Sequence, residues 1–581
     1  MLQTGRMQCP TCAAENPEAH RFCDACGEPL ILCAQCGAMG RPGARFCGLC
    51  GAHLTGPEGA PSESTEPRRA DHVGAALAAG ATAVAADTSD PDYAALADGC
   101  ARGEQWTEAM EYAARAAAAA AERQAYGEAV ERYTQALDAA GHLDPPPSRM
   151  VVALHSECGA ALHAEGEYER GAAHYEQALA IARDSGRGAD QVDALLGLAD
   201  AYFELHRPEP AEHSSDEALA LAADLEDPAR EAAALIRRAT CIAAWRGPIA
   251  EARSAAKAAL ERTDGVDDAH LRSRALIVLG SILQWRTDLD SSLPYLHEGA
   301  HLSERLADES LRAHALCHLG NAYRAKGRYE QALRWFAELC RYADRTHDAA
   351  WMVRAPHGVA AVHLELYDLD TAIGVAQEGE ELARRLSRWP EPRAHCLLAI
   401  AMAYLAGDAH DAADQHLCRA EALLDHDSWG RWRWHVPLLR LRAELALAVD
   451  QRDAAWRYAS ESLEMAAQAD AREHVAHAKL VLGEIAAAQD RLPEALQLLR
   501  AAASLAEHIH AVRQLWLASR ALGLVAARLG QDRDAEAHLT QAAQIIEAIA
   551  TDVANPALRA SFTRARPIAE VYRHLGHRPL P

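Results

Sequence analysis

The stretch LRAHALCHLGNAYRAKGRYEQALRWFAELCRYA (311–343) decides the fold. Its apolar and small residues fall at helical spacing on both sides of Gly327, which predicts two amphipathic helices joined by a short turn. Small side chains at Gly320 and Ala332 let the two helices approach closely, and larger neighbours fill the remaining space. The large neighbours are Leu319 and Tyr323 on the first helix and Tyr329 and Phe336 on the second.

The same plan recurs along most of the chain. Residues 160–182 carry a similar hairpin, and residues 125–137 read as the second helix of another one. Because such hairpins cannot bury their apolar faces alone, a recurring unit predicts a stacked helical array. The period is 40 residues, and about twelve units are expected, with degenerate ones at 228–264 and 428–466. The position of Gly320 recurs at Gly280, Ala360, Gly483 and Gly523.

The hairpins resemble tetratricopeptide repeats, with motif residues Gly320, Tyr323, Ala332 and Phe336. Their long period is similar to the repeat arrays of large bacterial signalling ATPases, cyclases and transcription activators. The resemblance implies a mainly all-α protein, a tetratricopeptide-type α-solenoid over residues 93–550 with a C-terminal capping segment at 551–581. Asn555-Pro556 is expected to end the last long helix ahead of a short final helix.

Such arrays turn one face of the first helices into a concave groove that binds a peptide. By resemblance, the groove residues of the clearest unit are His314, Cys317, Asn321 and Arg324. A solvated face without a partner is an equally weighted alternative. The lysine of the familiar carboxylate-clamp version is absent, which argues against capture of a C-terminal carboxylate.

Eight of the fifteen cysteines lie between positions 9 and 50, as two copies of C-x2-C-x10-C-x2-C shifted by 24 residues. Two thiolates on a tight turn reach one ion, and two such turns complete a tetrahedral shell of four sulfurs. Four thiolates leave no open coordination position, so each predicted zinc ion is structural. Disulfides or free thiols are the disfavoured alternative. The eight predicted ligands are Cys9, Cys12, Cys23, Cys26, Cys33, Cys36, Cys47 and Cys50.

The cysteine-rich head resembles the double zinc ribbon of many bacterial signalling proteins, a module used mostly for protein interaction and in some members for nucleic-acid binding. The prediction is therefore two small β-type zinc ribbons in residues 1–54 with two Zn²⁺ ions. We assign the first four cysteines to one ion and the last four to the other, and a crossed arrangement stays open. Residues 55–92, rich in proline, serine, alanine and charge, are expected to form a flexible linker.

Charge and composition narrow the partners. A formal net charge of −25 disfavours binding to nucleic acid. Residues 1–54 hold four arginines and no lysine against four carboxylates, and each Zn(Cys)4 centre adds negative charge. The start of the chain lacks the apolar run of a signal peptide, and there is no stretch of about 18 apolar residues that would span a membrane. The expected location is cytoplasmic.

No catalytic pattern is supported by its context. The chain has no G-x4-G-K-[ST] motif, so the ATPase activity of the related signalling proteins does not carry over, and the cyclase module has no counterpart either. His297-Glu-Gly-Ala-His301 matches H-E-x-x-H, but the repeat register explains its neighbours as packing residues.

A cluster of tryptophan and arginine at 429–435 is a second candidate partner site, although ordinary packing is the favoured interpretation. Its candidate contact residues are Trp429, Trp432 and Arg433.

The sequence therefore predicts a non-enzymatic interaction scaffold or regulator that binds a protein or peptide through the repeat groove. The alternative is a nucleic-acid-associated regulator that acts through the zinc ribbons.

Overall fold

The structure is a computed structural model. It describes residues 6–8, 15–17, 31–32, 39–40 and 92–576, apart from 124, 248, 347, 387–389 and 424–430. The eight predicted zinc ligands and Trp429 lie outside the described residues, as does almost all of the predicted linker.

Within the described part, a first helix is followed by eleven helical hairpins and two short closing helices, against about twelve units expected. The first half comprises α1 (Tyr93–Arg102), α2 (Trp106–Glu122), α3 (Tyr126–Gly141), α4 (Ser148–Glu165), α5 (Tyr168–Asp184), α6 (Gly188–Glu204), α7 (Pro208–Asp224), α8 (Pro228–Cys241), α9 (Ile249–Arg262), α10 (Ala269–Trp285), α11 (Leu289–Arg305), α12 (Glu309–Ala325) and α13 (Tyr329–Thr346). The second half comprises α14 (Ala349–Glu365), α15 (Leu369–Leu386), α16 (Pro390–Ala406), α17 (His410–Glu421), α18 (Arg431–Ala448), α19 (Arg452–Gln468), α20 (Arg472–Ala488), α21 (Leu492–His508), α22 (Val512–Arg528), α23 (Asp532–Asp552), α24 (Pro556–Arg564) and α25 (Arg566–His574). The predicted all-α solenoid is confirmed.

Aspartate caps set the register of the regular units. Asp268, Asp308 and Asp348 each accept a hydrogen bond from a backbone N–H in the first turn of the following helix, and they lie 40 residues apart. A cap of this kind satisfies a backbone donor that would otherwise lack a partner. Equal spacing of the caps therefore puts residues that differ by 40 at the same height on adjacent first helices.

The predicted hairpin at 311–343 is α12 and α13, with Gly327 at the turn in the left-handed region (φ 69°). Phe336 is buried and packs against two glycines at once: a Cβ built on Gly320 or on Gly358 of α14 would lie 2.6 or 2.3 Å from its ring. A larger residue at either glycine would force the helices apart, so the small residues set the close spacing of three consecutive helices.

The unit predicted to be degenerate at 228–264 departs from the regular plan. Helix α8 ends at Cys241, and residues Ile242–Arg246 continue as a π-helical turn that closes at Gly247 (φ 84°). A π-helical turn inserts extra backbone into a helix and redirects it. Here it meets a later part of the chain, because Trp432 Nε1 donates a 3.0 Å hydrogen bond to the carbonyl oxygen of Ala243.

The array winds round until one superhelical turn rests on the next. Arg286 Nε and Asp470 Oδ2 are 2.6 Å apart although 184 residues separate them. Arg328 Nη1 likewise reaches Asp552 Oδ1 at 2.9 Å. Between four and five hairpins therefore complete one turn of the superhelix, and these contacts form what we call the seam between turns.

Two short antiparallel strand pairs precede the array. Strand β1 (Arg6–Gln8) pairs with β2 (Glu15–Pro17), and β3 (Ile31–Leu32) pairs with β4 (Met39–Gly40). The pairings Gln8↔Glu15 and Leu32↔Met39 differ by 24 residues, which is the period of the cysteine motif. Each strand pair is therefore joined by a segment that contains one C-x2-C sequence.

The long helix α23 ends at Asp552, and Asn555 caps α24 by accepting from the backbone N–H of Ala557 at 2.9 Å. Two short helices close the chain where one was expected, since Ala565 separates α24 from α25. Across the described helices, none combines the length and low charge that a membrane crossing requires.

Candidate functional site

The superhelix encloses a central cavity of about 1730 Å³. The even-numbered helices α4 to α22 supply nearly all of its wall, because the first helix of every hairpin faces inward. The odd-numbered helices pack against them from outside. The cavity is thus a consequence of winding one repeated hairpin with a constant hand.

One helix illustrates how the wall is built. On α12, Leu316, Leu319 and Gly320 are buried against neighbouring helices. The residues between them on the helical wheel face the cavity, and four of these are the groove residues named from the sequence. The structure therefore brings together His314, Cys317, Asn321 and Arg324 along one helix.

These four side chains differ in how far neighbours already engage them. Asn321 Nδ2 donates to the backbone oxygen of Cys317 at 3.1 Å. Arg324 forms an ion pair with Glu365 of α14. His314 is exposed to the cavity, and burial together with Arg354 and Arg274 lowers its pKa to about 4. His314 is thus a neutral hydrogen-bonding group at pH 7.

The tryptophan–arginine cluster divides between packing and the cavity. Trp432 is buried and holds α18 against the π-helical turn of the earlier unit. Arg433 Nη2 lies 2.9 Å from Glu391 Oε1, and its Cζ lies 4.8 Å from the ring centroid of Trp285. Both residues line the cavity.

Polar residues that the sequence reasoning did not single out also line the cavity. Burial, with help from neighbouring histidine and arginine, lowers the pKa of His318 and of His395 to about 3. His318 Nδ1 is 3.0 Å from Gln284 Oε1, so the neutral ring has a hydrogen-bond partner. The signal that could have found them is the 40-residue period applied to polar positions. The histidines of the wall are His163, His206, His270, His314, His318, His357, His395, His474 and His477.

No cluster of three or more metal-ligating side chains forms among the residues described between 92 and 576. The H-E-x-x-H match lies on α11, where His297 Nε2 is 3.0 Å from the Tyr323 hydroxyl and His301 is exposed. His297 therefore has an ordinary partner within the repeat.

The donor set of the N-terminal region fits zinc. Residues 9–14 and 33–38 join paired strands, and each segment supplies two thiols in C-x2-C spacing. Cysteine sulfur in sets of four is a ligand set that Zn²⁺ prefers.

Comparison with known proteins agrees with this division of the chain. Residues 9–51 match the double zinc ribbon, residues 150–224 a tetratricopeptide repeat, and residues 231–447 the MalT-like TPR region. The chain thus joins a double zinc ribbon to tetratricopeptide-repeat regions. No curated protein matches the sequence.

Several solved structures are similar in part. A Rap protein complexed with competence and sporulation factor has 13% identity and a TM-score of 0.45, covering 70% of this chain and 100% of that one. The Cut9–Hcn1 assembly of APC/C has 13% identity and a TM-score of 0.40, covering 79% and 96%. A STAND protein with a tetratricopeptide-repeat sensor from Pyrococcus horikoshii has 14% identity and a TM-score of 0.38, covering 58% and 53%.

Proposed function

We propose that this protein is a non-enzymatic interaction scaffold that holds a segment of a protein partner inside the central cavity. The observation that carries the proposal is the cavity itself, enclosed by the array and lined with polar groups that the helix packing does not need. Its volume of about 1730 Å³ exceeds the range of about 300–1,000 Å³ that is usual for small-molecule sites. A peptide segment fits such a space better than a metabolite.

The zinc ribbons form a second docking module in this proposal. Two structural Zn²⁺ ions, one on Cys9, Cys12, Cys23 and Cys26 and one on the later four cysteines, would supply the folding free energy that so short a segment lacks. The predicted linker at 55–92 would let the ribbons and the array engage one partner, or two, independently. We place the protein in the cytoplasm, where closely spaced thiols stay reduced and available to metal.

A steric plug tests whether the cavity is the binding site. Cys317 lines the cavity, and the equivalent positions on adjacent first helices hold the larger residues Ile277 and His357. Cys317→Trp should therefore keep the fold and fill the cavity. The matched control is Cys418→Trp, because Cys418 is exposed on the outer helix α17.

The measurement is a native pull-down from the protein's own cytosol, with captured protein read by mass spectrometry and nucleic acid by absorbance before and after nuclease. We expect a nuclease-resistant protein partner that Cys317→Trp loses and Cys418→Trp retains. Retention by both variants would exclude the cavity. Co-purifying nucleic acid that disappears in a Cys33→Ser/Cys36→Ser variant would instead favour the regulator acting through the ribbons. Zinc content of that variant, compared with the parent, tests whether those cysteines bind metal.

A further inference from the structure

Three residues of the cavity wall form a row across consecutive repeats. Arg274 lies on α10, His314 on α12 and Arg354 on α14, each 40 residues after the last. The aspartate caps of these helices share the same spacing, so the three side chains lie at one height on neighbouring helices. All three line the cavity, and Arg274 and His314 are exposed to it.

The two arginines of the row differ from most other arginines of the wall. Arg237 pairs with Asp200 at 2.7 Å, Arg433 with Glu391 at 2.9 Å, and Arg324 with Glu365. Among the described residues, neither Arg274 nor Arg354 has a carboxylate within the 4.0 Å of an ion pair. The row therefore offers two guanidinium groups whose hydrogen-bond donors are not engaged by an acidic side chain.

The acidic groups around the row act only at longer range. Asp200, Asp268 and Asp308 influence Arg274, and Glu204 is influenced by Arg354. The proximity of Arg237, with burial, nevertheless lowers the pKa of Arg274 to about 10. Repulsion from a like charge outweighs the distant carboxylates at this point of the wall. Such a site favours an anion that brings its charge into direct contact.

The aromatic groups beside the row make it a shaped surface. The His314 ring stands edge-on to Trp351 with centroids 4.9 Å apart, and Arg354 Cζ lies 5.9 Å from the Trp351 centroid. Trp351 is itself buried, which fixes the ring. His314 is neutral and can donate a hydrogen bond without adding charge. An indole floor and a neutral donor between two cations fit a planar carboxylate.

We infer that Arg274 and Arg354 form an anion subsite that binds an acidic side chain of the captured peptide, with His314 donating a hydrogen bond between them. This inference rests on the proposed function, because it takes a peptide segment as the occupant of the cavity. It assigns that segment an aspartate or glutamate at the depth of α12. Local charge complementarity outweighs the net charge of −25, which lies mostly elsewhere on the surface.

The test uses the full-length protein and pools of N-acetylated, C-amidated hexapeptides in which one position is fixed as Glu, Gln or Lys. The protein is mixed with each pool, and retained peptide is quantified by mass spectrometry after ultrafiltration. We expect retention of the Glu pools to exceed that of the Gln pools by about tenfold, as charge-assisted bidentate pairs are strong. The difference should shrink when sodium chloride is raised.

The variant Arg274→Gln/Arg354→Gln should abolish the Glu preference, and Arg274→Lys/Arg354→Lys should keep part of it, since lysine retains charge but not the bidentate geometry. The matched control is Arg384→Gln, an exposed arginine on the outer helix α15. The preference should survive in that variant.

Equal retention of Glu and Gln pools, or a Glu preference that survives in the double Gln variant, would overturn the inference and leave the scaffold proposal standing. Retention of no pool would overturn both. Glutarate is added as a competitor, and displacement of the Glu peptides at equal concentration would show that a free dicarboxylate, not a peptide, is the ligand.

Discussion

The two faces of helix α12 were built under different constraints. The packing face, with Leu319 and Gly320, is buried between α13 and α14 and has no polar side chain. The cavity face, with His314 and Arg324, carries groups that are exposed or only half-buried. The packing face can be explained by the need to bury apolar surface, whereas the cavity face cannot. That contrast is the main reason to assign function to the cavity.

The largest effect should come from the packing face. Phe336→Ala removes a ring that is 1% exposed and wedged between Gly320 and Gly358. We expect a loss of about 3–5 kcal/mol in the free energy of unfolding, because three helices share the resulting void. Urea unfolding followed by circular dichroism measures it. His314→Ala on the cavity face is the control, and a comparable loss in that variant would remove the distinction between the faces.

The seam between superhelical turns should give a smaller effect. The pair Arg286–Asp470, at 2.6 Å with side chains 15% and 35% exposed, joins segments far apart in sequence. A double-mutant cycle with Arg286→Gln and Asp470→Asn should give a coupling of about 1 kcal/mol, which is reasonable for a partly buried pair. The exposed pair Arg384–Glu381 serves as the comparison. A coupling no larger than in that surface pair would mean that the seam does not depend on this contact.

The cavity histidines predict a pH effect with a definite sign. His318 has its pKa lowered to about 3, so between about 6.5 and 3 its unfolded form binds a proton that the folded form does not. Stability should therefore fall as pH decreases through this window. His318→Gln should reduce the slope between pH 6.5 and 5 by up to about one proton. The measurement is urea unfolding at several pH values, with the exposed His301→Gln as control; an equal slope in parent and His318→Gln would refute it.

The smallest effect should have the opposite sign. Because Arg237 repels Arg274, Arg274→Gln should leave stability unchanged or raise it by a few tenths of a kcal/mol, about the size of other surface charge effects. A residue that contributes nothing to stability yet controls binding is typical of a functional site. Thermal unfolding in low salt measures the change. A loss of more than about 1 kcal/mol would show that Arg274 is a structural residue.

Much of the repeat architecture could be predicted from local pattern. Gly320, Ala332 and Phe336 specified the hairpin because small and large residues at helical spacing encode close packing between neighbours in sequence. The turns were harder to recognise, since most of the left-handed positions are not glycine. His206, Thr287 and Tyr367 all have positive φ at places equivalent to Gly327. The predicted domain boundaries and the zinc ligands remain predictions.

The sequence by itself determined the hairpins, their period and the inward-facing row on α12, because each depends on residues within about 40 positions of one another. Only the tertiary structure decided that the concave groove closes into a cavity. Closure depends on the cumulative winding of many hairpins and on seam contacts such as Arg286–Asp470, which join residues 184 positions apart. Small rotations per hairpin add up over the array. No local pattern records that sum, so the absence of acidic partners for Arg274 and Arg354 became visible only in three dimensions.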